Sequence, residues 1–215
     1  MNTQMNRSIK QFGDNKEGIM SRYHMPIGES SFLTPAAAIE GVILPDPGES
    51  LVQGSIFNEE EALIIAADKI LAAKNPTLFP GPLVIWNWSK ESQEMAKAVR
   101  KLAEAGNMNI IPMTDYRPKY PKINPESEIN PNHPNITIWH NAIDVCLFVG
   151  VHCHYSNIAL KIIRGGTDCF TIALCSFSGD DEAHLTVRDV SPEKVDRLSQ
   201  ILRERKAHLL SASMK

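Results

Sequence analysis

The sequence predicts an α/β protein in which helices cover both faces of a parallel sheet, and three observations support this fold class. Val145 to Val149 is a short apolar run without polar alternation, as in a strand that is buried on both faces. A second run of this kind spans Cys169 to Leu174. From Asn58 to Leu209, helical and strand-like segments alternate, which is typical of a parallel sheet with right-handed crossovers.

Three parts follow one another along the chain: an irregular N-terminal arm (residues 1–57), the α/β domain (58–209) and a short tail (210–215). The arm is rich in glycine and proline but also carries many large apolar side chains, which argues against a solvated tail. We therefore expect it to lie against another surface, either its own domain or a partner subunit.

The first half of the domain contains two predicted helices. Asn58 is a suitable N-cap for the first helix, which is expected to end near Pro76 because the residue before a proline disfavours helix. The second helix follows Ser89 and ends at Gly106-Asn107. The strands predicted in this half are Leu83 to Trp86 and Asn109 to Met113.

The second half begins with a proline-rich stretch, residues 114–135, whose five prolines exclude a regular helix or central strand. Ile136 to His140 is expected to be a short strand or turn. After the Val145 strand, Ser156 is the expected N-cap of a helix over residues 157–164. The remaining predicted elements are a strand at Leu185 to Arg188 and a last helix that starts at Pro192, is capped by Ser191 and frays from Leu209.

Composition and charge restrict the class of protein. The formal net charge of -3 gives no reason to expect nucleic acid or an anionic membrane as a partner. No apolar run is long enough to span a membrane, and residues 1–18 lack the apolar core of a signal peptide, so we expect a cytoplasmic protein. The four cysteines are then expected to be free thiols.

Ligands of open α/β sheets bind beyond the carboxyl ends of the strands. The polar and aromatic side chains that the sequence places there are candidate cofactor-binding residues: Asn87, Trp88, Ser89, Thr114, Gly150, His152, His154 and Ser156. No glycine-rich phosphate loop follows the first predicted strand, although a helix N-terminus can hold an anion without one. A nucleotide or flavin such as FAD therefore stays an open alternative.

The segment His152-Cys153-His154 suggests two further kinds of chemistry. Imidazole and thiolate are ligands for zinc, copper or nickel, and Cys153 beside a helix N-terminus is a candidate nucleophile. Adjacent residues point in different directions, however, and no compact CxxC or HxxxH motif completes a metal site. Histidines that hydrogen-bond the backbone or a partner are the simpler interpretation, and we predict neither metal ligands nor catalytic residues.

Aromatic residues supply candidate interaction surfaces. Trp86 is expected in the core, whereas Trp88 at the strand end either packs in the core or faces a ligand or partner. Tyr116, Arg117 and Tyr120 form either an interface anchor or part of a packed loop.

The segment from Leu83 to Leu202 resembles the epsilon subunit family of the carbon monoxide dehydrogenase/acetyl-CoA synthase complex, also called the CO dehydrogenase beta-subunit family. The resemblance lies in a strand after a proline, Pro82-Leu83-Val84-Ile85, and in Asp144-Val145-Cys146-Leu147-Phe148-Val149-Gly150. It continues through His152-Cys153-His154-Tyr155-Ser156, Thr171-Ile172-Ala173-Leu174 and Ser191-Pro192-Glu193. Two features depart from the family pattern: the arm over residues 1–57, and the lack of a glycine-rich turn, which argues against a flavin.

This resemblance implies a three-layer Rossmann-like domain similar to the deoxyhypusine-synthase-type NAD/FAD-binding fold. It also implies a non-catalytic accessory subunit that docks on the nickel-iron-sulfur catalytic subunit and supports electron transfer. Such a subunit is expected in a hetero-oligomer, or as a homodimer when isolated. The alternatives are a nucleotide- or flavin-binding module that uses the carboxyl edge, and a metal- or thiol-dependent enzyme centred on His152, Cys153 and His154.

Overall fold

A computed structural model describes residues 45–113, 126, 128–130 and 132–213 of the chain. The strands are β1 (Glu49–Val52), β2 (Ser55–Asn58), β3 (Pro76–Pro80), β4 (Asn109–Ile110), β5 (Val145–Val149), β6 (Phe170–Leu174) and β7 (Leu185–Val187). The helices are α1 (Glu59–Ala72), α2 (Pro82–Ile85), α3 (Lys90–Gly106), α4 (Pro134–His140), α5 (Cys153–Gly166) and α6 (Pro192–Ser213).

The strands form one seven-stranded sheet in the order β2-β1-β7-β6-β5-β3-β4. The five strands from β7 to β4 pair in parallel, whereas β1 pairs antiparallel with both β2 and β7. The sheet is therefore mostly parallel with an antiparallel hairpin at one side, and the structure confirms the predicted Rossmann-like α/β class.

Strand β5 shows why its sequence has no polar alternation. Val145, Leu147 and Val149 pack into one hydrophobic cluster with α1, α3 and α6. Cys146 and Phe148 point to the other face and pack into a second cluster with α4 and α5. Both faces are covered by helices, so every position of the strand is apolar.

The strand predicted at Leu83 to Trp86 is wrong. Pro82 occupies the first turn of α2 and Gly81 is its N-cap, so this apolar run forms a short helix. The strand of this region is β3, whose two prolines stand at its ends, where one missing N–H donor is tolerated.

Four other boundaries are corrected. Ile136 to His140 belongs to helix α4, because Pro134 starts a helix there. Helix α5 begins at Cys153 with His152 as N-cap, so Ser156 lies inside its first turn. Strand β4 covers only two residues of the predicted segment, and α6 continues past the predicted fraying point to Ser213.

Strands β1 and β2 were not predicted, and residues 45–57 were assigned to the arm. They form a hairpin whose turn residues Gln53 and Gly54 both have positive φ, the conformation of a two-residue I′-type turn. The rest of the arm, the tail residues 214–215, Thr114 and the Tyr116, Arg117 and Tyr120 group lie outside the described residues.

A candidate site at the carboxyl edge of the sheet

The carboxyl ends of β3 and β5 meet through two glycines. The Gly81 N–H donates to the Val149 carbonyl oxygen at 2.8 Å, and the Leu83 N–H donates to the Gly150 carbonyl oxygen at 3.2 Å. A Cβ at Gly81 would overlap with the Gly150 backbone, and a Cβ at Gly150, where φ is +65°, would overlap with Val84. The glycines therefore allow α2 to pack directly on the end of β5.

An open cleft of about 220 Å³ lies beside this junction. Its wall on the α3 side is held by a capping box, in which Ser89 Oγ accepts the Ser92 N–H at 3.1 Å and Ser92 Oγ accepts the Ser89 N–H at 3.2 Å. The cleft is lined by Leu83, Val84, Trp88, Ser89, Glu91, Ser92, Met95, Gly150, Ser176 and Val190.

Among the described residues at this edge, three large aromatic side chains are exposed. Trp86 is 51% exposed, Trp88 58% and Phe177 68%, and we call these three residues the aromatic rim. The rings of Trp86 and Trp88 meet edge to face with centroids 6.2 Å apart. The prediction that Trp86 lies in the core is wrong, because α2 replaces the expected strand and turns this side chain outward.

A buried carboxylate joins helix α5 to the loop between β6 and β7. Asp180 is only 3% exposed, and its Oδ2 lies 2.7 Å from Ser156 Oγ. Asn157, with its side-chain nitrogen turned inward, also donates to this carboxylate. The Asp180 N–H donates to Thr186 Oγ1 at 2.9 Å, which fixes the loop to β7.

Burial raises the pKa of Asp180 to about 6. The hydrogen bond from Ser156 acts in the opposite direction, and the neighbouring carboxylates of Asp181 and Glu182 raise the pKa further. Asp180 therefore changes its protonation state near pH 6.

The histidines do not converge on one point. His152 caps α5 without a side-chain hydrogen bond to the helix, and its ring stacks near that of His154 at a centroid distance of 6.0 Å. Both side chains are exposed. Within the described ranges, no group of three His, Cys, Asp or Glu side chains is arranged to hold a metal ion.

The structure brings some of the candidate residues together and separates others. Trp88, Ser89 and Gly150 line the cleft, and Asn87 stands exposed beside it with a φ of 29°. Ser156 is turned inward to Asp180, whereas His152 and His154 lie on the outside. Thr114 lies outside the described residues.

Sequence reasoning missed Ser176, Phe177 and Asp180. They follow β6 in a stretch that the sequence marks as a polar, flexible loop. Because β5 and β6 are neighbouring parallel strands, the residues that follow both strands lie at the same edge of the sheet. This rule could have identified the residues after β6 as part of the candidate site.

The cleft fits a dinucleotide poorly. A pyrophosphate site needs glycine backbone that is open to the ligand, but Gly81 and Gly150 are packed against protein atoms. The volume is also below the roughly 300–1,000 Å³ of typical small-molecule sites. The cleft is large enough for a single planar ring against Trp88.

These features define the class: an α/β protein with a Rossmann-like, mostly parallel sheet and an aromatic carboxyl edge. The model of one family, described as CO dehydrogenase beta subunit/acetyl-CoA synthase epsilon subunit, matches residues 42–204. The chain belongs to this family. Among curated proteins, no sequence matches the chain significantly.

The family match corrects one sequence-based interpretation. The region before residue 58 was considered foreign to the family pattern, but the match begins at residue 42 and includes the β1–β2 hairpin. Residues 42–57 are therefore part of what the family shares. None of the helices in the described residues is both long enough and apolar enough to cross a membrane.

Proposed function

We propose that this chain is a non-catalytic accessory subunit of a carbon monoxide dehydrogenase/acetyl-CoA synthase complex. It docks on the nickel-iron-sulfur catalytic subunit through the aromatic rim and supports electron transfer from that position. The observation that supports this proposal most directly is the aromatic rim, whose three large side chains are more than half exposed at one edge of the sheet. The chain also belongs to the family that such a subunit defines.

The chemistry of the rim supports docking. Tryptophan is enriched among the residues that dominate interface energies, because its large rigid surface loses little conformational entropy on binding. Trp86 and Trp88 already contact each other, so they present one continuous apolar surface. The cleft beside Trp88 offers a recess for a partner side chain.

Binding to the purified catalytic subunit tests this proposal. We expect W86A, W88A and F177A each to weaken the complex at least tenfold in Kd, the scale of an interface residue worth about 1.4 kcal/mol or more. Isothermal titration calorimetry or analytical gel filtration measures the effect.

Trp139 provides the matched control. It is 61% exposed, like the rim residues, but lies in α4, which leads to the amino end of β5. W139A is expected to leave binding unchanged. Equal loss of binding in W139A and W88A, or no complex with the unaltered chain, would contradict the proposal.

Although the cleft fits a whole dinucleotide poorly, one observation supports a second function, binding of a nucleotide or flavin through its planar ring. The supporting observation is the indole of Trp88 beside Ser89 and Ser176, a surface on which a planar ring can stack. FAD, FMN, NAD and ADP are the ligands to use in a thermal-shift experiment. A shift that disappears in W88A supports this function, and no shift with any of the four excludes it.

A further inference from the structure

Two of the four cysteines lie at the carboxyl edge, and the proposed docking on a partner does not use them. Cys153 is the first residue of α5 and is exposed, and Cys175 directly follows β6 and is partly exposed. The other two, Cys146 and Cys169, are buried in the core. The edge cysteines are therefore the ones open to reagents from solvent.

The pattern of helix α5 places Cys153 on the side that faces the sheet. The buried residues of this helix are Ser156, Ala159, Leu160 and Ile163. Cys153 precedes Ser156 by three positions and Leu160 by seven, so it belongs to the same stripe one turn closer to the N-terminus. Helical side chains also lean toward the N-terminus, which carries this thiol beyond the end of the sheet.

The pattern of strand β6 directs Cys175 to the same place. Ala173 packs in the cluster that contains the buried face of α5. The extended ladder continues beyond β6, since the Cys175 N–H donates to the Val187 carbonyl oxygen at 2.9 Å. With a period of two residues, Cys175 points to the α5 side, as Ala173 does.

A hydrogen-bonded contact through Ser156 holds helix α5 against the loop that follows β6. Ser156 Oγ lies 3.0 Å from the Cys153 carbonyl oxygen and 2.7 Å from Asp180 Oδ2, so the first turn of α5 is tied to the loop that Cys175 begins. Burial raises the pKa of Cys175, and the nearby Asp180 and Cys153 raise it further.

We propose that Cys153 and Cys175 form a thiol-modification site that reacts with small disulfides and closes to an intramolecular disulfide bond. The exposed Cys153 thiolate attacks one sulfur of an oxidised glutathione-type disulfide, whose S–S bond breaks as the new S–S bond forms, and the released thiolate takes up a proton. Cys175 then attacks the Cys153 sulfur and releases the second small thiol. The protein loses two electrons and two protons, and the small disulfide is reduced to two thiols.

Incubation of the full chain with oxidised glutathione, followed by intact-mass analysis and non-reducing peptide mapping, tests this site. The unaltered chain is expected to lose two hydrogen atoms and to give one cross-linked pair of peptides, which contain Cys153 and Cys175. C175S is expected to stop with one glutathione retained on Cys153. C153S is expected to react much more slowly, because the more buried thiol has to react first.

Cys146 and Cys169 supply the control. Both are buried in the core, and burial raises the pKa of Cys146 well above its ordinary value, with Cys169 raising it further. C146S and C169S are expected to form the Cys153–Cys175 bond as the unaltered chain does. Stable glutathione on Cys153 in the unaltered chain, or a cross-link through Cys146 or Cys169, would overturn the proposal. No partner subunit takes part, so the outcome is independent of the docking experiment.

Discussion

The two edges of the sheet are built differently. At the amino edge, Asp144 precedes β5 and accepts the N–H groups of Lys74 and Asn75 at 2.7 and 3.0 Å, and the Asn75 side chain donates to the Ala142 carbonyl oxygen. At the carboxyl edge, backbone packs on backbone through Gly81 and Gly150, and the bulky aromatic side chains are turned outward.

This difference indicates that the groups that stabilise the fold are not the same as the side chains that are proposed to bind a partner. A charged side chain that satisfies two backbone donors fixes the loop before β3, which is a structural task. At the carboxyl edge, the close contact between Gly81 and Gly150 has a structural task of the same kind. The large aromatic side chains of that edge are exposed and do not pack in the core. The following variants test this separation of tasks, from the largest expected effect to the smallest.

The glycine junction is expected to be the most sensitive point. In G81A, the new methyl group overlaps with the Gly150 backbone, which has no flexible side chain that can move aside. We expect a loss of about 3 kcal/mol or more in the free energy of unfolding. Urea denaturation measures it. G165A is the control, because nothing lies within 4 Å of that position in α5, and alanine there is expected to be neutral or stabilising.

Asp180 is expected to make stability depend on pH. Burial raises its folded pKa from 3.8 to about 6, so the folded state binds a proton more tightly than the unfolded state. Asp180 therefore adds nothing to the free energy of unfolding above pH 6. Its contribution grows as the pH falls from 6 toward 4 and reaches roughly 3 kcal/mol in total.

The difference in unfolding free energy between the unaltered chain and D180N isolates this contribution, because the other titrating groups are shared. It should shift in favour of the unaltered chain as the pH falls from 7.5 to 4. A difference that stays constant over this range would show that the buried carboxylate does not titrate as described.

Asp144 at the amino edge is expected to behave in the opposite way. Its partial burial raises the pKa, but the hydrogen bonds from the Lys74 and Asn75 backbone outweigh this effect, so the pKa lies below its ordinary value of 3.8. Its stabilisation is present above pH 3.8 and is lost as the pH falls through the folded pKa. D144A is expected to cost roughly 2 kcal/mol at pH 7 by urea denaturation, since two bonds to a charged acceptor disappear. A cost at pH 7 no larger than at pH 3 would contradict this role.

The aromatic rim is expected to matter least for folding. W88A and F177A should change the free energy of unfolding by no more than about 0.5 kcal/mol, because exposed side chains contribute little to the core. The same variants are the ones expected to lose partner binding. A destabilisation of several kcal/mol in either would mean that the rim is a structural part of the fold.

The sequence predicted the elements whose local and tertiary signals agree. Strand β5 has the bounds expected from its apolar run, and Ser89 and Pro192 start helices as their capping preferences indicate. In these segments the hydrophobic period and the end signals point to the same structure.

Three of the errors fall where prolines stand at element ends. Strand β3 was not predicted, because prolines stand at both of its ends, although each proline needs only an end position in the strand. Pro82 starts a helix that was predicted as a strand, and Pro134 starts one that was predicted as a short strand or turn, because a short apolar run has no distinguishable period. Trp88, Ser89 and Gly150 lie at the carboxyl edge, as expected, and their role in binding a cofactor stays a prediction. Phe177 and Asp180 depend on which strands become neighbours.

The β1–β2 hairpin has a practical consequence for any shortened form of the protein. A chain that starts at Glu59 lacks both strands, and β7 loses its antiparallel neighbour β1. The unpaired N–H and C=O groups of β7 would then offer a template for another chain, so such a fragment is expected to aggregate rather than fold alone.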